Sequence, residues 1–174
     1  MLSRLLLISL LWLPLGVGTA QAAGVGAGQI APAVDLPLVG GATDQAANMS
    51  LAQLRGNVVY LDFWASWCGP CRLSFPQLDQ LHRDFSAQGF VVLAVNVDEF
   101  EADALAFLQE IPVSYPVVRD AEASTPRAYG ILGMPTGYLI DRQGVIRLVH
   151  QGFRKHDGEK LRAQIIELLA EDPP

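Results

Sequence analysis

The sequence predicts an α/β domain in which a mixed β-sheet is covered by helices. Two apolar runs, Val58 to Phe63 and Phe90 to Val97, read as strands buried on both faces. Apolar residues at helical spacing follow each run, which is the alternation of β and α elements that this class requires. Two short strands joined by Asp141-Arg142-Gln143-Gly144, a hairpin signal, and a last helix complete the pattern.

In chain order, Gly24 to Gly28 is a flexible lead-in, Val34-Asp35-Leu36 a weak strand and Gly40-Gly41 a turn. Ser50 followed by Gln53 fits a capping box, so Leu51 to Leu54 is expected as one helical turn. Gly56-Asn57 resets the chain for the strand Val58 to Phe63. From Arg72, the recurrence of Leu73, Leu78, Leu81 and Phe85 predicts a helix to about Ala87, with a kink expected at Pro76. After the strand Phe90 to Val97, Asp98 is expected to cap a helix over Glu101 to Glu110, with Leu105 and Leu108 facing inward. Tyr115 to Val118 is a short strand, and Thr125 to Tyr129 a short helix stopped by Gly130. The closing hairpin pairs Thr136 to Ile140 with Val145 to Val149. The final helix starts near Asp157 and lines up Leu161, Ile165, Leu168 and Leu169.

The N-terminus has a different character. Arg4 precedes an apolar run from Leu5 to Leu13, and Ala20-Gln21-Ala22 has the form of a processing site, so residues 1–22 are expected to be a secretory signal peptide. Pro14 and Gly16 interrupt the run short of the roughly 20 residues a spanning helix needs. An uncleaved anchor is the alternative. Residues 23–174 then form one domain, a comfortable length for one core. Across the 174 residues, 12 basic side chains face 18 acidic ones, a formal charge of −6, which offers nothing to nucleic acid or anionic lipid.

The two cysteines of the chain, Cys68 and Cys71, are separated by Gly69 and Pro70. Thiols at this spacing can close a small disulfide and reopen it. If Cys68 opens a helix, the N-terminal amides stabilise its thiolate and make it the attacking group. A strand before the pair and a helix after it form the setting a redox reading requires. A zinc site needs further ligands, and His82, His150 and His156 stand at no finger-like spacing. A purely structural disulfide across so short a loop would stabilise little.

The segment Asp62-Phe63-Trp64-Ala65-Ser66-Trp67-Cys68-Gly69-Pro70-Cys71-Arg72 resembles the thioredoxin active-site segment, and Gly133-Met134-Pro135-Thr136 resembles its cis-proline loop. The lead-in Gly28-Gln29-Ile30-Ala31-Pro32, the stretch Leu51 to Gly56 and the extra segment Val97 to Arg119 are similar to the TlpA/ResA/CcmG branch of exported proteins. The resemblance covers about residues 28–170. It implies a thioredoxin-like three-layer fold, with a central mixed β-sheet and helices on both faces. It also implies that Cys68 is an exposed nucleophile, that Cys71 resolves the mixed disulfide, and that Asp62 is a buried carboxylate relaying a proton to or from Cys71. Substrate contacts fall to Trp67, Gly69, Pro70, Met134, Pro135 and Thr136, with Pro135 cis. Trp64 is open to either packing or substrate contact, and His82 is expected on the surface.

The activity implied is protein-disulfide reduction in the periplasm or another extracytoplasmic space, by a monomer. The Cys68–Cys71 disulfide is its only redox group, with no other cofactor and no metal. Its partners are client proteins bearing disulfides and a membrane thiol electron donor of the DsbD/CcdA type. Gly-Pro between the cysteines matches thioredoxin, whose potential of about −270 mV is strongly reducing. Cytochrome c maturation is one candidate setting, but related reductases carry a glutamate three residues after the second cysteine, where this chain has Ser74. A disulfide oxidase or isomerase on the same scaffold, or a Cu(I)-handling module using the cysteine pair, are the alternatives. A peroxiredoxin is disfavoured, because the P-x-x-x-T/S-x-x-C pattern is missing around Cys68.

Overall fold

A computed structural model describes residues 24–40 and 47–171 of the chain. The expected leader over residues 1–22 and the Gly41 half of the expected turn lie outside the described residues. Among the described residues, seven strands and four α-helices follow in order: β1 (Asp35–Pro37), β2 (Asn48–Ser50), β3 (Val58–Trp64), α1 (Cys71–Phe85), β4 (Phe90–Asn96), α2 (Glu101–Glu110), β5 (Val117–Arg119), α3 (Ser124–Tyr129), β6 (Thr136–Ile140), β7 (Ile146–Gln151) and α4 (Asp157–Ala170). The main sheet has the order β5-β4-β3-β6-β7. Strands β3, β4 and β5 run parallel, β6 pairs antiparallel to β3, and β7 pairs antiparallel to β6. This is the thioredoxin-like three-layer arrangement, with β3 at the centre.

The central strand explains its own position. All seven residues of Val58–Trp64 are buried, so successive side chains fill opposite cores. Tyr60 and Trp64 pack on the face covered by α1, α2 and α4, beside Phe75, Phe107 and Leu161. Val59, Leu61 and Phe63 pack on the other face, beside Tyr129 of α3 and the N-terminal segment. That segment also reaches both edges of the sheet: Ala31 N–H donates to Gly144 O at 3.0 Å, and Val39 N–H to Val117 O at 2.9 Å.

Three local expectations are corrected. The capping-box bonds form, with Ser50 N–H donating to Gln53 Oε1 at 2.7 Å and Gln53 N–H to Ser50 Oγ at 3.3 Å. The expected helical turn over Leu51–Leu54 is nonetheless only a turn, because the chain reverses at Gly56 with φ +87°. Leu105 of α2 is 37% exposed, and the helix buries Ala104 and Phe107 instead. The Phe107 ring stacks against Trp64 (4.8 Å between centroids) and Phe75 (5.0 Å), a larger apolar contact than a leucine would make there. Asp98 caps no helix; its carboxylate turns back toward the loop after β3, while the residue preceding α2 is Phe100. Helix α1 continues through Pro76.

Candidate active site

The loop between β3 and α1 carries both cysteines. Cys68 and Cys71 form a disulfide, with their Cα atoms 5.3 Å apart. Cys71 is the first residue of α1, so its N–H has no partner within the helix. That amide points at the redox pair, lying 3.2 Å from Cys68 Sγ and 3.1 Å from Cys68 O. No acidic residue occupies the first turn, so no negative charge opposes the positive end of the helix beside the sulfurs. Cys68, expected to be exposed, is only 3% exposed in the disulfide form, as part of the apolar cluster beneath α1. Exposure falls instead on Trp67 (72%), Gly69 and Pro70. Trp64 is fully buried.

The loop is held from behind. Asp98 accepts from Ser66 N–H at 3.0 Å, from Ser66 Oγ–H at 3.1 Å and from Asn96 Nδ2–H at 2.7 Å, tying the loop to the end of β4. Arg72 makes a paired contact with Glu110 of α2, at 2.6 and 2.9 Å, and lies over the Phe107 ring. Ser74 is buried and donates from Oγ to Cys71 O at 3.1 Å, so a glutamate at this position would have to enter the core or displace the helix.

Asp62 lies in mid-β3 between Tyr60 and Trp64 on the same face, the one that receives both sulfurs. It is fully buried, and neither carboxyl oxygen has a hydrogen-bond partner. Its strand neighbours are Ala94 and Gly137, neither of which carries a polar side chain. Burial alone therefore pushes the carboxyl well above the usual carboxylate range. Ahead of β6, the Met134–Pro135 peptide is cis, Pro135 is buried and Met134 half-buried, and Thr136 donates from Oγ1 to Gly133 O at 2.7 Å.

Comparison with known proteins gives this geometry its kinship. Residues 27–149 match the AhpC/TSA family. The chain belongs to the AhpC/TSA family. Among its relatives within reach of that match, the thiol-disulfide oxidoreductase ResA of Geobacillus thermodenitrificans is 34% identical over 102 residues, 59% of each chain. The match thus covers less than two thirds of that relative. The thioredoxin-like protein YneN of Bacillus subtilis is 32% identical over 132 residues, 74% of each chain. A crystal structure from Chlorobium tepidum, of a protein described as the thiol:disulfide interchange protein DsbE, superposes with a TM-score of 0.77 at 44% identity, covering 85% of this chain and 100% of that one.

This AhpC/TSA-family chain also contains polar groups near the site to which the sequence assigned no role. Tyr60 Oη lies 3.2 Å from His150 Nδ1, and His150 Nε2 lies 3.2 Å from Asp157 Oδ2. Tyr60 could have been found, since it stands two residues before Asp62 and so shares its face, and Gly137 interrupts a strand where another group comes close; neither signal reaches His150 or Asp157. His82, expected on the surface, is half-buried. Its Nδ1 accepts from Val92 N–H at 3.4 Å, its ring meets Tyr115, and burial lowers its pKa.

Proposed function

We propose that this protein is an exported thiol–disulfide oxidoreductase that reduces disulfides in client proteins. The observation that carries the proposal is the Cys68–Cys71 disulfide at the start of α1, on the same sheet face as a buried carboxyl with no partner. The relatives named as thiol-disulfide oxidoreductases support the same activity.

In the reducing direction the Cys68 thiolate attacks a client disulfide. A Cys68–client S–S bond forms, the client S–S bond breaks, and one client sulfur leaves and takes up a proton. Asp62, in its carboxylate form, accepts the proton of the Cys71 thiol. Cys71 then attacks Cys68 Sγ, the mixed disulfide breaks, and the second client sulfur leaves as a thiolate and takes up a proton from solvent. Two electrons have passed to the client, and the Cys68–Cys71 disulfide remains. Trp67, Gly69 and Pro70 form the exposed contact surface, and the backbone of Met134, set by the cis-Pro135 peptide, pairs with an extended client segment.

Export follows from reading residues 1–22 as a leader, whether cleaved or retained as a tether. Among the described residues no helix is long and apolar enough to cross a membrane. Outside the cytoplasm the disulfide needs a membrane thiol donor, of the DsbD/CcdA type, to be reduced again. Ser74 argues for a broader client range than apocytochrome c, since the expected glutamate is absent.

The test is mixed-disulfide capture. Cys71→Ser is expected to trap clients covalently on Cys68, and equal capture by Cys68→Ser would refute the assignment. A measured potential above about −150 mV would turn the reading to an oxidase.

A further inference from the structure

The register of β3, β6 and β7 sets Asp62 opposite Gly137, and Gly137 opposite His150. Directly opposed residues in a sheet project to the same face, so Asp62 and His150 flank a position with no side chain. The vacancy is filled. A Cβ on Gly137 would lie 2.0 Å from Tyr60 Oη, so the phenol of the neighbouring same-face residue occupies the space over the glycine. Its hydroxyl is directed to His150 Nδ1 at 3.2 Å, and His150 Nε2 faces Asp157 Oδ2 at 3.2 Å.

Asp157 is anchored at the start of α4. It accepts from Arg154 N–H at 2.8 Å and from Lys160 Nζ at 3.3 Å. The His150 side chain is 19% exposed and lines a groove of about 310 Å³ with Arg154, Asp157, Lys160 and Gln164. A continuous run of polar groups therefore leads from the residue beside Asp62 to solvent. The charged and titratable groups along it are Asp62 and Tyr60 on β3, Asp157 and Lys160 on α4, and Arg154 before α4; Tyr115 also feels the Asp62 charge from the far side. Burial, reinforced by the Asp62 and Asp157 charges, raises the Tyr60 phenol well above its ordinary value, so it stays a neutral hydroxyl able to give and receive a proton together.

We propose that Tyr60 and His150 are positioning residues that carry the proton of Asp62 between the buried redox centre and solvent. The proposal rests on the reading of Asp62 as proton acceptor for Cys71. Asp62 has no hydrogen-bond partner in the disulfide form, so in the outward step its carboxyl first turns toward Tyr60 Oη; the Asp62 O–H bond then breaks and its proton passes to that hydroxyl. The Tyr60 proton passes to His150 Nδ1, and His150 gives up its Nε2 proton to Asp157 or to groove water. Tyr60 ends as a neutral phenol, His150 as the other neutral tautomer, and no electrons move.

The experiment is stopped-flow kinetics of mixed-disulfide release by Cys71, read separately from the first attack and followed against pH. The set comprises the wild type, Asp62→Asn, Tyr60→Phe, His150→Gln and His150→Ala with and without added imidazole. Release is expected to slow by about tenfold in Tyr60→Phe and His150→Gln, with an altered pH profile. Imidazole, entering the groove, is expected to restore His150→Ala and to do nothing for Tyr60→Phe. If Asp62→Asn slows release while Tyr60→Phe and His150→Gln keep the wild-type rate and profile, the route is wrong and the Asp62 reading survives. If Asp62→Asn releases at the wild-type rate, both fall. If Tyr60→Phe proves unstable by thermal melting, His150→Gln and imidazole rescue decide, and a loss that imidazole leaves untouched overturns the proposal.

Discussion

On the face of the sheet beneath α3, Tyr129 donates its hydroxyl to Pro32 O at 2.7 Å and Tyr138 donates to Tyr129 O at 3.2 Å. On the face beneath α1 and α4, Asp62, Trp64 Nε1 and Tyr115 Oη are buried with no partner at all. The same central strand feeds both cores, yet one satisfies its phenols and the other leaves polar atoms unmatched. Such atoms carry a free-energy cost of about 1–3 kcal/mol each, and they gather in the core that also holds both cysteines, a cost that folding alone does not explain.

Substitutions can break this contrast. The largest effect belongs to Cys68→Ser, which is expected to reduce insulin-disulfide reduction to the level of the uncatalysed exchange, with the melting temperature of the reduced protein little changed. Asp62→Asn tests the unmatched carboxyl through stability. Below the ordinary carboxyl range Asp62 is protonated in both folded and unfolded chains, and its contribution is full. Between that range and its raised folded value the native state holds a proton that the unfolded state has lost, so stability falls as pH climbs through the window. The oxidised Asn variant is therefore expected to melt about 5 °C above the wild type near pH 9 and level with it near pH 4, by calorimetry. A constant difference across pH would mean that Asp62 is not the source.

Gly137→Ala comes next. The added methyl meets the Tyr60 hydroxyl, and a loss of about 2 kcal/mol in urea unfolding is expected, the usual result of overfilling a tight core. On the opposite face, Tyr129→Phe removes one bond and is expected to cost about 1 kcal/mol in urea unfolding, with the redox potential unmoved. A shift in potential in that variant would erase the distinction between the faces.

Much of this was legible in the chain. Val58 to Phe63 and Phe90 to Val97 announced themselves as strands, each within one residue of the observed end, because burial on both sides demands unbroken apolar runs. The β6–β7 hairpin was marked by Asp141 and Gly144, and the structure shows why: Asp141 Oδ1 accepts from Gln143 N–H at 3.0 Å and Val145 N–H at 2.8 Å, while Gly144 takes φ +83°. Strand β2 was missed because three residues, Asn48–Ser50, show no alternation to read. The redox loop and Asp62 could be found along the chain, since a short motif and a lone acid in an apolar strand are local signals. The Tyr60–His150 contact could not, because it depends on register across three strands.

The knot of Ser66, Asn96 and Asp98 has a mechanical consequence. It fastens the stretch immediately before Trp67 to the end of β4, so the redox loop meets its client as a fixed platform. Docking is then a matter of the client adapting its own backbone, and letting go requires only that a sulfur–sulfur bond break.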